Sequence, residues 1–168
     1  MSTRQFLART VLFLFIITSG LQVGAAIYEV TVITPLWSGA PPESVMHWNP
    51  VPEYAINPGS FWRFSTPLYS LCGLLMLIGA WAMPPRSRVL TLVAGSVALL
   101  AFLATIFYFV PGLIKLIVNR GADLGGEEIT QMVHSWVKWN WVRLGAISLA
   151  WVMAIQALSG WHGEKLKH

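Results

Sequence analysis

Charge is what this sequence has least of. Lys, Arg, Asp and Glu make up 11% of its 168 residues, against about 25% in an ordinary soluble domain. Such a chain cannot cover a globular surface with solvated groups. Nor does it present the basic stripe with interleaved aromatics that nucleic acid requires, so no nucleic-acid partner is expected. Disorder is excluded as well, because 55% of the residues are hydrophobic. Cysteine is nearly absent, and the single Cys72 excludes an intramolecular disulfide and any Cys-based zinc site. There is no Gly-rich phosphate loop, nucleophile elbow or HExxH pattern. The four histidines, His47, His134, His162 and His168, lack ligand spacing. On the expected topology two of them lie across the membrane from the other two, and only His47 and His134 could share a site, as axial ligands of a haem. The sequence therefore implies neither a metal nor a cofactor site.

What the chain does have is length in its apolar runs. A bilayer-crossing helix needs about 20 mainly apolar residues, and four segments qualify, over roughly 7–34, 61–83, 89–118 and 136–161. The mean hydropathy of +0.61 agrees. The fold expected is all-α, an integral membrane four-helix bundle forming one domain over residues 1–168. The first run follows Arg4 and Arg9 and superficially resembles a signal peptide, but its apolar character continues to Leu36, well past a secretory core. It is read as an uncleaved span.

Cationic residues orient the spans. Arg4 and Arg9 precede the first, Arg86 and Arg88 occupy the tight second connection, and Lys165 and Lys167 follow the fourth. The connection over 35–60 has no Lys or Arg, and Arg120 in the third connection is offset by Asp123, Glu127 and Glu128. Both termini are expected to be cytoplasmic in a cell-membrane protein, with the two longer connections outside. These topology markers account for most of the net charge of +4 without an anionic partner. Tryptophans suit the same picture: Trp37, Trp48, Trp62, Trp136, Trp139 and Trp141 fall near the outer boundary, and Trp81 and Trp161 near the inner one, as an aromatic belt would. Residues 35–60 hold six of the ten prolines, a density that opposes regular helix; they are expected to form a long proline-rich outer loop capping the bundle. Gly20 and Gly24 form a GxxxG pair, suited to close packing within the bundle or to a homodimer. Pro111 is expected to kink the third span near its outer end.

Ionisable groups at membrane depth cost free energy and normally face the bundle interior, where they pair or serve function. Gln22 and Glu29 lie two helical turns apart on one face of the first span, and Trp136, Asn140 and Arg143 form one stripe of the fourth. Glu29 and Arg143 are expected at similar depth and as an ion pair. Tyr28, Arg63, Tyr69, Tyr108, Lys115, Trp136, Trp139 and His134 add polar or aromatic groups to the same outer half. A pocket there, under the loop, is the expected site. Glu29, His134, Asn140 and Arg143 are the candidates for chemistry; Tyr28, Arg63, Tyr108, Trp136 and Trp139 are the candidates for substrate contact. The plainer reading is a Glu–Arg pair that sets helix register, with Lys115 and Lys138 snorkelling and His134 solvated.

Three stretches resemble the small four-span membrane family, of largely unknown function, that includes the fungal anthrone oxygenases. They are GLQVGAAIYEVTVITPLW (Gly20 to Trp37), FYFVPGLIKL (Phe107 to Leu116) and WVKWNWVRLG (Trp136 to Gly145). The Trp-x-x-x-Asn-x-x-Arg end of the fourth span is the most specific part, and the proline-rich loop departs from the pattern. The resemblance implies an oxygenase working without metal or organic cofactor on lipophilic phenolic anthrones. A base, Glu29 or His134, would remove the acidic methylene proton, and Arg143 with Asn140 would hold the enolate oxygen. A Glu29 neutralised by Arg143 makes a poor base, which favours His134. The alternatives are a non-catalytic accessory subunit or lipophilic-ligand binder using the same residues, and a transporter, against which the apolar inner half counts.

Overall fold

The structure, a computed structural model, describes residues 2–48 and 56–165. Most of those residues are helical, with no strand among them. Four helices are long and apolar enough to cross a membrane: α1 (Thr3–Ser38), α3 (Gly59–Ala82), α4 (Pro85–Val118) and the first 36 residues, Gly126–Trp161, of α5 (Gly126–Lys165). A short helix, α2 (Glu43–Met46), lies in the first long connection. The expectation of one proline-rich loop over 35–60 is modified. Thr34–Ser38 continues α1, α2 follows, and Val51 and its neighbours over 49–55 lie outside the described residues.

Each long helix runs past its apolar segment, α5 starting ten residues before the apolar run at Trp136. Hydropathy registers only the part suited to lipid, whereas the helix continues wherever its ends find partners. At the start of α1, Ser2 and Gln5 form a reciprocal cap, at 3.3 Å and 3.2 Å. Between α3 and α4, Met83 is extended ahead of Pro84, as a residue before proline must be, and Pro85 opens the next helix. The Arg88 guanidinium folds back to donate to the Met83 carbonyl at 3.1 Å, closing the end of α3.

The helices pack in ring order, α1 against α3, α3 against α4, α4 against α5 and α5 against α1. They run alternately up and down. One end of the bundle, the terminal end, carries both termini and the Met83–Pro84 turn. The other, the loop end, carries the 39–48 and 119–125 connections. Near the terminal end small residues bring backbones together: a Cβ on Gly95 would stand 2.9 Å from the Gly73 carbonyl, and one on Gly73 2.8 Å from the Ala98 methyl. Gly20 is closed against the Trp151 indole of α5, while Gly24 faces open space. The first glycine of the GxxxG pair thus serves packing within the bundle. Ser87 donates to the Ala157 carbonyl at 2.9 Å and Thr91 to the Met83 sulfur at 3.2 Å, so the hydroxyls buried here are satisfied locally.

A second cluster fills the loop end, where Trp37, Val45, Phe109, Leu116, Ile129, Val133 and Trp136 are all buried. Val45 is wholly enclosed, and the 39–48 segment is fastened by Ser44 to the Trp37 carbonyl (2.7 Å) and by Thr130 of α5 to the Pro41 carbonyl (3.3 Å). The expected aromatic belt is therefore corrected in part. Trp139, Trp141 and Trp81 are exposed, but Trp37, Trp136 and Trp161 are core residues. Trp37 and Trp136 meet edge to face at 5.2 Å, a contact made possible by the extension of α1 beyond its apolar run.

Both α1 and α4 widen into a π turn in the loop half, over Glu29–Ile33 and Thr105–Phe109. Each ends two residues before a proline, Pro35 and Pro111. A proline ring inside an α-helix lacks the N–H and presses on the carbonyl four residues back. The π turn passes the preceding donor one residue further back instead, Thr34 to Glu29 and Val110 to Thr105. At Pro111, where a kink is expected, α4 accommodates the ring by this widening. A further π turn, Ile114–Val118, ends α4, and Arg120 and Gly121 follow in left-handed backbone (φ 51° and 64°), where a Cβ at Gly121 would collide with Ile129.

The close approach of α3 and α4 generates a stability prediction. Gly95→Ala places a methyl against backbone that has no rotamer to give, and the thermal midpoint of detergent-solubilised protein is expected to fall, the loss being about 1–3 kcal/mol. Gly24→Ala is expected to leave it within about 0.5 kcal/mol of the parent.

Candidate functional site

Where the π turns loosen the loop half, the four helices enclose a cavity of about 430 Å³. Its walls come from all of them: Gln22, Ala26 and Glu29 of α1; Trp62, Thr66 and Tyr69 of α3; Phe102, Thr105 and Phe109 of α4; Trp136, Arg143 and Ile147 of α5. The size falls within the range of small-molecule sites, and so does the composition, mostly apolar with a few convergent polar groups. The rim includes exposed residues of α3 (Arg63 and Pro67) and of α4 (Ile106, Val110 and Ile114). The cavity therefore opens sideways, between α3 and α4, on the apolar flank of the bundle.

Arg143 dominates the interior. Its guanidinium donates to Asn140 Oδ1 at 2.6 Å and to Thr105 Oγ1 at 3.4 Å, lies 4.2 Å from the centre of the Phe109 ring, and is 5.9 Å from that of Trp62. Asn140 is one helical turn before Arg143 and almost wholly buried, so it meets the charge without leaving the helix. Thr105 opens the π turn of α4, and Phe109 closes it. The two thus present a hydroxyl and a ring face, which attracts a cation, to the same group.

Glu29 is buried on the opposite wall, at the first residue of the α1 π turn. The expected direct ion pair does not form. Arg143 is held by the neutral partners just named, and Glu29, with the Trp62 indole beside it, acts on Arg143 through charge alone. The shared face of Gln22 and Glu29 is present, and both line the cavity. Gln22 donates from Nε2 to Thr66 Oγ1 at 3.4 Å.

The remaining candidates divide. Trp136 lines the cavity and donates to the Phe109 carbonyl at 3.2 Å, and Arg63 stands at the rim. Asn140 is not on the cavity wall; it acts by positioning Arg143. Its Nδ2 has no partner among the described residues. Tyr108 and Trp139 line a separate apolar groove of about 570 Å³ between α4 and α5, on the outer surface, with Arg143 at its base. Tyr108 is hydrogen-bonded there to Ser135 at 2.9 Å. Tyr28 and His134 do not reach either space: both are exposed, on the faces of α1 and α5 that look away from the bundle. His134 precedes Arg143 by nine residues, half a turn out of phase on a 3.6-residue helix, which is why it misses the cavity. His47 is also exposed, its Nδ1 against the Glu43 carbonyl at 2.8 Å.

Four wall residues have no place in a search for ionisable groups: Trp62, Thr66, Thr105 and Phe109. Their signal is spacing. Trp62 and Thr66 on α3, and Thr105 and Phe109 on α4, are each four apart, placing an aromatic ring and a hydroxyl on one helical face.

The arrangement offers a guanidinium and a carboxylate that do not neutralise each other by contact, in an apolar enclosure where each interacts strongly with whatever enters. If Asn140 positions Arg143, Asn140→Leu deprives the buried guanidinium of its shortest hydrogen bond. Unfolding in detergent is expected to show a loss of about 1.5–3 kcal/mol, and Asn140→Asp, which keeps an acceptor, is expected to lose less. The chain matches no family model, and comparison with curated proteins and with solved structures returned no similar chain.

Proposed function

We propose that this membrane protein binds a lipophilic small molecule bearing an acidic oxygen, a phenol or enol, in the cavity of the loop half. The observation that carries the reading is Arg143: a cation lining an apolar enclosure, held by Asn140, Thr105 and Phe109 and not by a carboxylate. A guanidinium held this way is prepared for an anionic oxygen, since it need not first break an ion pair. The opening between α3 and α4 admits a ligand dissolved in the bilayer. With cationic residues flanking the terminal end, the protein sits in the cell membrane with its termini in the cytoplasm and the cavity in the outer half.

A catalytic form of this reading is favoured by Glu29, the carboxylate on the opposite wall of the same cavity, and by the resemblance of three stretches to the family of the anthrone oxygenases. The substrate would be an anthrone-type carbon acid. Glu29 takes a methylene proton while Arg143 holds the enolate oxygen that forms. Dioxygen adds at the carbanion carbon to give a hydroperoxide, which loses water. The balance is one methylene plus one dioxygen to one carbonyl plus one water, with dioxygen as oxidant. His134, outside the cavity, has no part in this scheme.

Two measurements test the pair of readings. In nanodiscs, with protein-free discs subtracted, calorimetric titration of a naphthol is expected to show saturable binding that Arg143→Gln weakens at least tenfold, about 1.4 kcal/mol. Binding unchanged by Arg143→Gln would overturn the binding site. With anthrone, oxygen uptake above the spontaneous rate is expected for the parent and a fall of about 100-fold or more for Glu29→Gln. Saturable, Arg143-dependent binding without uptake would leave a binder and remove the oxygenase.

A further inference from the structure

The polar groups of the cavity are not gathered at one place. Toward the loop end stand Arg143, Glu29 and Trp62; toward the terminal end stand Gln22 and Thr66, with Tyr69 beside them. Between the two groups the wall is apolar, from Ala26, Phe102 and Ile147. Along α1, Glu29 and Gln22 are separated by about 10 Å, and along α3, Trp62 and Thr66 by about 6 Å, at 1.5 Å per residue. The second polar group is neutral. It lies near the middle of the bilayer thickness, where an unmatched amide is costly.

The hydrogen bonds within that group leave specific capacity. Gln22 is 4% exposed and spends one amide hydrogen on Thr66 at a long 3.4 Å. Its Oε1 has no partner among the described residues and is not sealed off, so it faces the cavity that Gln22 lines. Thr66 accepts from Gln22 and retains its own hydroxyl proton. The floor beneath is less satisfied still: the Tyr69 and Ser19 hydroxyls face each other without reaching hydrogen-bond geometry. An acceptor and a donor side by side, open to one cavity, are what an incoming hydroxyl needs, because it supplies one of each.

From this geometry we infer a second binding subsite, made by Gln22 and Thr66, that takes a neutral hydroxyl at the far end of the ligand from the oxygen held by Arg143. The ligand class is thereby narrowed to a rigid, elongated lipophile with two oxygen functions roughly 6–10 Å apart, the acidic one toward the loop end. Fused-ring phenols with a hydroxyl at each end have this form. An acyl chain or a mono-oxygenated ring lacks the second group and would leave the Gln22 amide unpaired.

The inference rests on the Arg143 binding reading and separates from it by the choice of probes. Three compounds are titrated into the protein in nanodiscs: a naphthol with one hydroxyl, the naphthalenediol with hydroxyls at opposite ends, and its isomer with two adjacent hydroxyls. The end-to-end diol is expected to bind about five- to tenfold more tightly than the naphthol, the increment of one buried hydrogen bond or slightly more, and the adjacent diol to gain little. Gln22→Leu is expected to remove the advantage of the end-to-end diol while leaving naphthol affinity within about twofold. Thr66→Val, which keeps shape and removes the hydroxyl, provides the same readout if the Gln22 variant does not fold. The inference is overturned if both diols bind as the naphthol does, or if both variants weaken all three compounds equally. Failure of all three compounds to bind overturns the Arg143 reading and this one together.

Discussion

The loop half of this protein is organised around one requirement: a guanidinium within an apolar bundle has to be surrounded by groups that accept its hydrogens or face its charge. Arg143 is met by an amide one turn away on its own helix, a threonine on α4 and a phenylalanine ring one turn further along α4. Each of these fixes something else. Asn140 commits the buried face of α5, Thr105 and Phe109 bracket the π turn of α4, and Trp136, one turn before Asn140, donates to the Phe109 carbonyl. Removing the charge from lipid therefore also decides how α4 and α5 stand against each other. Because neutral groups do this, Glu29 on the opposite wall remains a separate charge, and the space between the two remains a cavity.

The proline-associated π turns explain why that space exists in the loop half and not at the terminal end. Glycine and alanine pull α3 and α4 into contact around Gly73, Gly95 and Ala98. Further along, the bulge that accommodates Pro111 re-phases α4, and the matching bulge before Pro35 brings Glu29 to the wall across from it. Local backbone chemistry thereby becomes an opening at membrane depth. Trp37, Trp136 and Val45 close it at the loop end, leaving the flank between α3 and α4 as the accessible side. A lipophile dissolved in the bilayer meets that flank directly, and this links the packing to the proposed ligand class.

Four apolar runs, the turn at Pro84 and Pro85, the common face of Gln22 and Glu29, and the stripe of Trp136, Asn140 and Arg143 were legible because they depend on composition and on the 3.6-residue period alone. Trp37 and Trp136 were misread as interfacial because hydropathy cannot tell a residue that faces headgroups from one facing another helix end. His134 was misplaced for a related reason: its nearness in sequence to Arg143 suggested a shared site, but half a turn of phase points it outward. Trp62 was read as interfacial and Thr66, Thr105 and Phe109 were not singled out, although the four-residue spacing within each pair was in view.

By itself, then, the sequence determined that the chain is helical, that four of its helices suit a membrane, and which charges lie where lipid makes them costly. These are properties of single segments, set by transfer free energy and helical periodicity. The tertiary structure decided what those charges face. It set Arg143 against Asn140, Thr105 and Phe109 in place of Glu29, turned His134 and Tyr28 away, and made Gln22 and Thr66 neighbours across two helices. Such outcomes depend on the relative rotation of the helices, and that rotation is changed by each π turn in a way that no single segment reveals.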